Sequence, residues 1–156
     1  MKKSIWKPYV ISILIAEAVG LLSGLLAGNI GTSYRSLVQP PLSPPGWLFP
    51  VVWVILYALM GIAAAMIWQS PRNQERRQAL YLYGAQLFVN FWWSILFFRF
   101  ELFWFSAAWI ILLDLLVIAT ILQFYKIQET AAWLLVPYLI WILFATYLNI
   151  GVAVLN

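Results

Sequence analysis

The chain contains no cysteine and no histidine. Lack of cysteine excludes disulfides, thiolate catalysis and iron–sulfur ligation. Lack of histidine removes imidazole as a haem ligand, a zinc ligand or a general base. Charge is nearly as scarce: 9% of the 156 residues are charged, against roughly 25% in soluble domains. What fills the space is apolar, at 65% of residues and a mean hydropathy of +0.90. Such a chain is solvated by lipid, and each polar side chain inside an apolar run is costly and therefore informative. The second signal is aromatic: 10 tryptophans and 18% Phe, Trp and Tyr, more than membrane interfaces alone require.

A spanning helix needs roughly 20 apolar residues. Five such runs are present, at Trp6–Ala27, Gly46–Trp68, Ala79–Phe98, Leu102–Tyr125 and Ala131–Leu155. They consume almost the whole sequence, which leaves a single membrane domain over residues 1–156. The expected class is all-α, a five-transmembrane-helix bundle, because lipid admits only helices or closed barrels. Barrel strands would alternate apolar and polar residues, and these runs are continuously apolar. The first run is too long for a signal peptide, and no small-residue cleavage site precedes Gly28.

The net charge of +4 reads as the positive-inside signature of a membrane protein, with no nucleic-acid partner. Lys2, Lys3, Lys7, Arg72, Arg76, Arg77 and Lys126 fall on one side of the bundle; Arg35 and Arg99 fall on the other. That asymmetry predicts a cytoplasmic N-terminus.

The connection 28–45 exceeds the roughly 12–15 residues beyond which loops are usually lids or disordered. Its prolines at 40, 41, 44 and 45 favour a stiff, extended path. A spacer would suffice for that, but Tyr34, Arg35 and Leu37 argue for a lid across the bundle mouth. Trp53, Tyr57, Met60 and Ala64 fall at i, i+4, i+7 and i+11, an aromatic stripe that serves packing as readily as a pocket. Gln86 and Asn90 share a face of the third span with Trp93 one turn on, suited to interhelical hydrogen bonds or to a ligand's polar edge. Asp114 interrupts the fourth span at an insertion cost of about 2.5–3.5 kcal/mol, so it must face the interior. Trp141, Ala145, Leu148 and Asn149 share a face of the fifth span, a large aromatic beside a small residue, which leaves a hollow for a flat ligand. In the first span Ala16, Gly20, Gly24 and Gly28 form a small-residue ridge, expected to pack internally.

Three blocks then carry a resemblance: Pro44-Pro-Gly-Trp-Leu-Phe-Pro-Val-Val-Trp-Val-Ile-Leu-Tyr57, Asn90-Phe-Trp-Trp-Ser-Ile-Leu-Phe-Phe98, and Val136-Pro-Tyr-Leu-Ile-Trp141 with Phe144-Ala-Thr-Tyr-Leu-Asn149. Together the sequence resembles the TspO/translocator protein family of tryptophan-rich sensory proteins, in its bacterial form. The resemblance implies a commonly dimeric membrane receptor for porphyrins such as protoporphyrin IX, for sterols and for synthetic isoquinoline carboxamides. Some members resemble catalysts of light-dependent porphyrin breakdown. Carried onto this chain, the implied ligand site is Tyr34, Trp53, Asn90, Trp93, Asp114, Trp141, Ala145 and Leu148, with any photochemistry on Trp53 and Trp141. No metal and no resident cofactor are implied, and no hydrolytic site is evident. A tetrapyrrole or sterol transporter built on Asp114 is the alternative. One departure bears on sterols: Tyr147 is followed by Leu-Asn-Ile-Gly-Val-Ala-Val-Leu-Asn, without the cation of the cholesterol-recognition pattern.

Overall fold

Hydrophobic runs with few breakers become helices, and polar caps or prolines set some of their ends. The computed structural model describes residues 5–156, so Lys2 and Lys3 of the charge asymmetry lie outside the described residues. Among those residues all regular structure is helical. The elements are α1 (Lys7–Leu26), α2 (Ile30–Ser36), α3 (Leu48–Trp68), α4 (Gln74–Ser94), a π-helical turn (Ile95–Arg99), α5 (Phe103–Ile127), α6 (Glu129–Leu134) and α7 (Val136–Leu155). α1, α3, α5 and the stretch Glu129–Leu155 are each long and apolar enough to cross a bilayer. α4 supplies the fifth crossing, although Glu75, Arg76 and Arg77 occupy its first turn. The molecule is a five-helix membrane bundle.

Three boundaries differ from the hydropathy reading. The third helix starts at Gln74 because the Asn73 side chain accepts the Arg76 N–H at 2.9 Å and caps it; hydropathy is blind to a polar first turn. The 28–45 connection is not extended throughout, since Asn29 caps the short helix α2 by accepting the Thr32 N–H at 3.1 Å. The last span is split at Leu135 into α6 and α7, with Pro137 in the first turn of α7 where its missing N–H costs little.

α1 packs along α3 and touches α4; α4 packs along α5, α5 along α7, and α3 meets α6. The α1–α3 seam is tight: a Cβ added at Gly61 would lie 2.5 Å from the Ile13 Cα. The small-residue ridge of α1 is internal in part. Ala16 is fully buried and Gly20 abuts the Tyr57 ring, whereas a Cβ at Gly24 would meet nothing. α7 makes no comparably close backbone approach to α3 or α4. Large side chains bridge that gap instead, and the candidate site lies there.

The end of α4 is the least regular part of the bundle. In the π-helical turn the Phe100 N–H reaches the Ile95 carbonyl, and the turn closes through Leu102 N–H to the Leu96 carbonyl at 3.0 Å. Glu101 sits between them at φ 52°, a left-handed conformation that glycine adopts without strain. Glu101→Gly is therefore expected to stabilise the bundle by about 0.5–1 kcal/mol, part of the gain being lost to unfolded-chain entropy. Thermal unfolding in detergent would check this; a lower midpoint for the glycine variant would refute it.

Candidate functional site

The 28–45 connection is strapped to the far half of α7. The Tyr147 hydroxyl donates to the Pro41 carbonyl at 2.6 Å. The Asn156 side chain exchanges two bonds with the Val38 backbone, accepting its N–H at 3.1 Å and donating to its carbonyl at 2.8 Å. Pro40 seats so closely on Gly151 that a Cβ there would lie 2.5 Å from the Pro40 Cγ. Inside the loop, the Tyr34 hydroxyl donates to the Pro44 carbonyl at 2.7 Å, and Gln39 donates to the Tyr34 carbonyl at 2.9 Å. Tyr34 itself is only 4% exposed, and burial pushes its phenol pKa above the ordinary value, so it remains a neutral donor. The loop thus lies as a cover fastened over one end of the bundle by a few hydrogen bonds.

Beneath it is a small cavity of about 20 Å³ lined by Tyr34, Ser43, Phe49, Trp93, Phe97, Phe98, Ala145, Leu148, Asn149 and Val152. That volume accommodates about one water molecule. Four of the residues expected from sequence meet here: Tyr34 from the cover, Trp93 from α4, and Ala145 with Leu148 from α7. The π-helical turn has a local role, since it brings Phe97 and Phe98 to the wall beside Trp93, on which Phe97 stacks at 5.4 Å. Trp93 is held by its indole N–H, which donates to Asn149 Oδ1 at 2.8 Å. Asn149 in turn donates to the Phe103 carbonyl at 2.9 Å.

A second aromatic group adjoins the first through Phe49. The Phe49 ring makes edge contacts with Tyr34 at 4.9 Å and Trp141 at 5.7 Å. Trp141 meets Trp53 edge-to-face at 6.4 Å, and Trp53 contacts Tyr57 at 5.5 Å and Tyr138 at 6.2 Å. Both tryptophans are only half-buried. The Trp141 indole N–H is nonetheless shielded and has no acceptor among the described residues.

Behind these rings runs a polar chain. The Tyr57 hydroxyl donates to Asn90 Oδ1 at 2.8 Å, and Asn90 Nδ2 donates to the Tyr138 hydroxyl at 2.6 Å. Tyr138 donates onward to Gln86 Oε1 at 2.8 Å. Asn90 is therefore engaged on both sides of its amide, and with Gln86 it ties α7 to α3 and α4, from whose backbones α7 stands apart. Asp114 lies apart from the cavity lining, on the α5–α7 seam, where Oδ2 accepts from the Thr146 hydroxyl at 2.7 Å. Its other oxygen, Oδ1, is buried with no partner among the described residues. Trp92 and Trp93 diverge as adjacent helical residues must, at 37% and 5% exposure.

Residues 12–155 match the TspO/MBR family. The chain belongs to that family. It is 40% identical to the tryptophan-rich protein TspO of Archaeoglobus fulgidus over 149 residues, covering 94% of this chain and 95% of that protein. It is 39% identical to the tryptophan-rich protein TspO of Chlorobaculum tepidum over 124 residues, covering 79% and 78% respectively. The translocator protein of Bos taurus is 33% identical over 147 residues, covering 92% and 87%. This chain is thus a tryptophan-rich membrane protein of the TspO/MBR family.

Sequence reasoning passed over Phe49, Tyr138, Thr146 and the Trp93–Asn149 bond. Phe49 and Tyr138 lie in the quoted blocks but look like ordinary span residues. Asn149 shared the Trp141 face by periodicity, which is a usable signal; nothing in one dimension pairs it with Trp93.

Proposed function

We propose that the protein is a receptor for a flat, amphipathic tetrapyrrole, bound between α3, α4 and α7 beneath the 28–45 cover. The observation that carries this reading is the aromatic continuity from the cavity, lined by Tyr34, Phe49 and Trp93, through Phe49 to the adjoining pair Trp141 and Trp53. Aromatic faces supply stacking walls for a macrocycle. The indole N–H of Trp141, without an acceptor among the described residues, is a free donor beside such walls, and Asn90 and Asn149 could meet a ligand only by giving up an internal hydrogen bond. The closed cavity of about 20 Å³ is far below the roughly 300 Å³ of a small-molecule site. Binding therefore requires the cover to lift and the aromatic side chains to part. With no histidine or cysteine in the sequence, iron haem would lack its usual axial ligands, and metal-free porphyrin is favoured. Isoquinoline carboxamides fit the same flat, apolar description. The edge-to-face pair Trp53 and Trp141 is the candidate centre for light-dependent porphyrin degradation. A homodimer in a bacterial plasma membrane, N-terminus cytoplasmic, completes the proposal.

Titration with protoporphyrin IX, followed by tryptophan fluorescence, is expected to show saturable quenching. In a Trp53→Phe, Trp141→Phe variant both the quenching and the light-driven loss of porphyrin should fall sharply. Unchanged quenching would sink the proposed pocket.

The unpartnered Oδ1 of Asp114 favours a second reading, a tetrapyrrole transporter with a protonatable centre in the span. Flux into proteoliposomes driven by a pH gradient and abolished by Asp114→Asn would put that reading first.

A further inference from the structure

The opposite end of the bundle, away from the cover, carries a basic groove that porphyrin binding does not use. It has a volume of about 570 Å³ and is lined by Arg72, Asn73, Gln74, Arg76, Arg77, Leu80 and Tyr81. Arg76 is fixed in place. Its Nε and Nη2 donate to the Trp68 carbonyl at 3.1 and 3.0 Å, and its guanidinium lies 4.5 Å from the centroid of the Trp68 ring. Those bonds occupy two of its five N–H donors, so donors remain for an anion. Arg72 and Arg77 are exposed beside it. At this end of the bundle Lys7, Arg72, Arg76, Arg77 and Lys126 outnumber the acids Glu75 and Glu129.

The position of the groove says which anion it meets. It lies where α3 ends and α4 begins, flanked by Trp68 and Tyr81, which are 57% and 71% exposed. Exposed Trp and Tyr at span ends mark the headgroup level of a bilayer. Leu80 adds an apolar side chain to the groove lining. Guanidinium forks match phosphate oxygens in pairs, and the N-terminus of α4 opens onto the same space with its favourable dipole end. We propose that this groove is a binding site for the phosphate headgroup of an anionic phospholipid. Arg76 is the preorganised contact, and Arg72 and Arg77 close over the phosphate from the aqueous side.

The test is native mass spectrometry of detergent-purified full-length protein, titrated separately with phosphatidylglycerol, phosphatidylcholine and inorganic phosphate. Phosphatidylglycerol is expected to bind more tightly than phosphatidylcholine. Removing two cations in Arg72→Gln, Arg77→Gln should weaken it by roughly 25-fold, about fivefold per charge near a membrane surface. The same variant should bind protoporphyrin IX as the wild type does, which controls for folding. Added sodium chloride should weaken phosphatidylglycerol binding to the wild type and leave porphyrin binding unchanged; this reads the site without any substitution. Arg99→Gln, at the other end of the bundle, should change neither. Equal retention of the two lipids, a variant that keeps the preference, or salt-insensitive binding would each overturn the proposal. Inorganic phosphate binding as tightly as the lipid would overturn it too, by making the ligand a free anion.

Discussion

Asn90→Leu is expected to lower the stability of the bundle by about 2–3 kcal/mol. Interhelical hydrogen bonds in membranes average only about 0.6 kcal/mol each, so two lost bonds alone would give little more than 1 kcal/mol. The larger figure comes from what is left behind. Tyr57 and Tyr138 are 5% and 0% exposed. Tyr138 keeps Gln86 as an acceptor at 2.8 Å, but among the described residues the Tyr57 hydroxyl donates only to Asn90. An orphaned buried donor costs about 1–3 kcal/mol. The loss should therefore depend on Tyr57. In a Tyr57→Phe background, Asn90→Leu should cost at least about 1 kcal/mol less, because no phenol remains to be stranded. Unfolding of all four proteins of this cycle in mixed micelles measures it. Simple additivity would show that the chain Tyr57–Asn90–Tyr138 is not coupled, and would free Asn90 to serve a ligand alone.

Gly151→Val is expected to speed release of bound porphyrin by about tenfold, equivalent to about 1.4 kcal/mol, with the bundle still folded. The new Cβ would lie 2.5 and 2.6 Å from the Pro40 Cγ and Cβ. A proline ring cannot swing away as the end of a flexible side chain does, so the loop itself must rise. Lifting Pro40 and Pro41 breaks the Tyr147 bond to the Pro41 carbonyl and loosens the Asn156 clasp on Val38. Most differences of this kind appear in the off-rate, which stopped-flow displacement of protoporphyrin IX reads directly. Tyr147→Phe removes one strap without any clash and should move the rate the same way by a smaller factor. Off-rates equal to wild type in both variants would reduce the 28–45 segment to a spacer.

The two results bear on different parts of the site. Asn90 tests what ties α7 to α3 and α4 across the space between their backbones. Gly151 tests what keeps the resulting gap closed. A receptor of the kind proposed, taking a ligand larger than its resting cavity, would need both a fixed frame and a movable cover, and here the two are built from separate bonds.

The sequence alone determined the solvent, the number of spans and the class of fold. Those follow from hydropathy, a one-dimensional quantity, because a run of about 20 apolar residues has one good solution in lipid. It also determined the family, since blocks around Trp53, Asn90 and Trp141 are contiguous and survive as strings. Helical periodicity went one step further and put Trp141, Ala145, Leu148 and Asn149 on one face; the last three line the cavity and Trp141 adjoins it. Periodicity orients a side chain about its own axis and says nothing of which neighbour it meets. The tertiary structure therefore decided the rest. It sorted the eight expected site residues into cavity lining (Tyr34, Trp93, Ala145, Leu148), adjoining aromatic pair (Trp53, Trp141), polar frame (Asn90) and separate seam (Asp114). It paired Trp93 with Asn149 and Asn90 with Tyr138, partners 56 and 48 residues away. It bent α4 into a π-helical turn that aims Phe97 and Phe98, and it fastened the loop to Gly151. Each of these depends on distances between helices, and such distances are set by how whole surfaces pack, which no single run of the chain encodes.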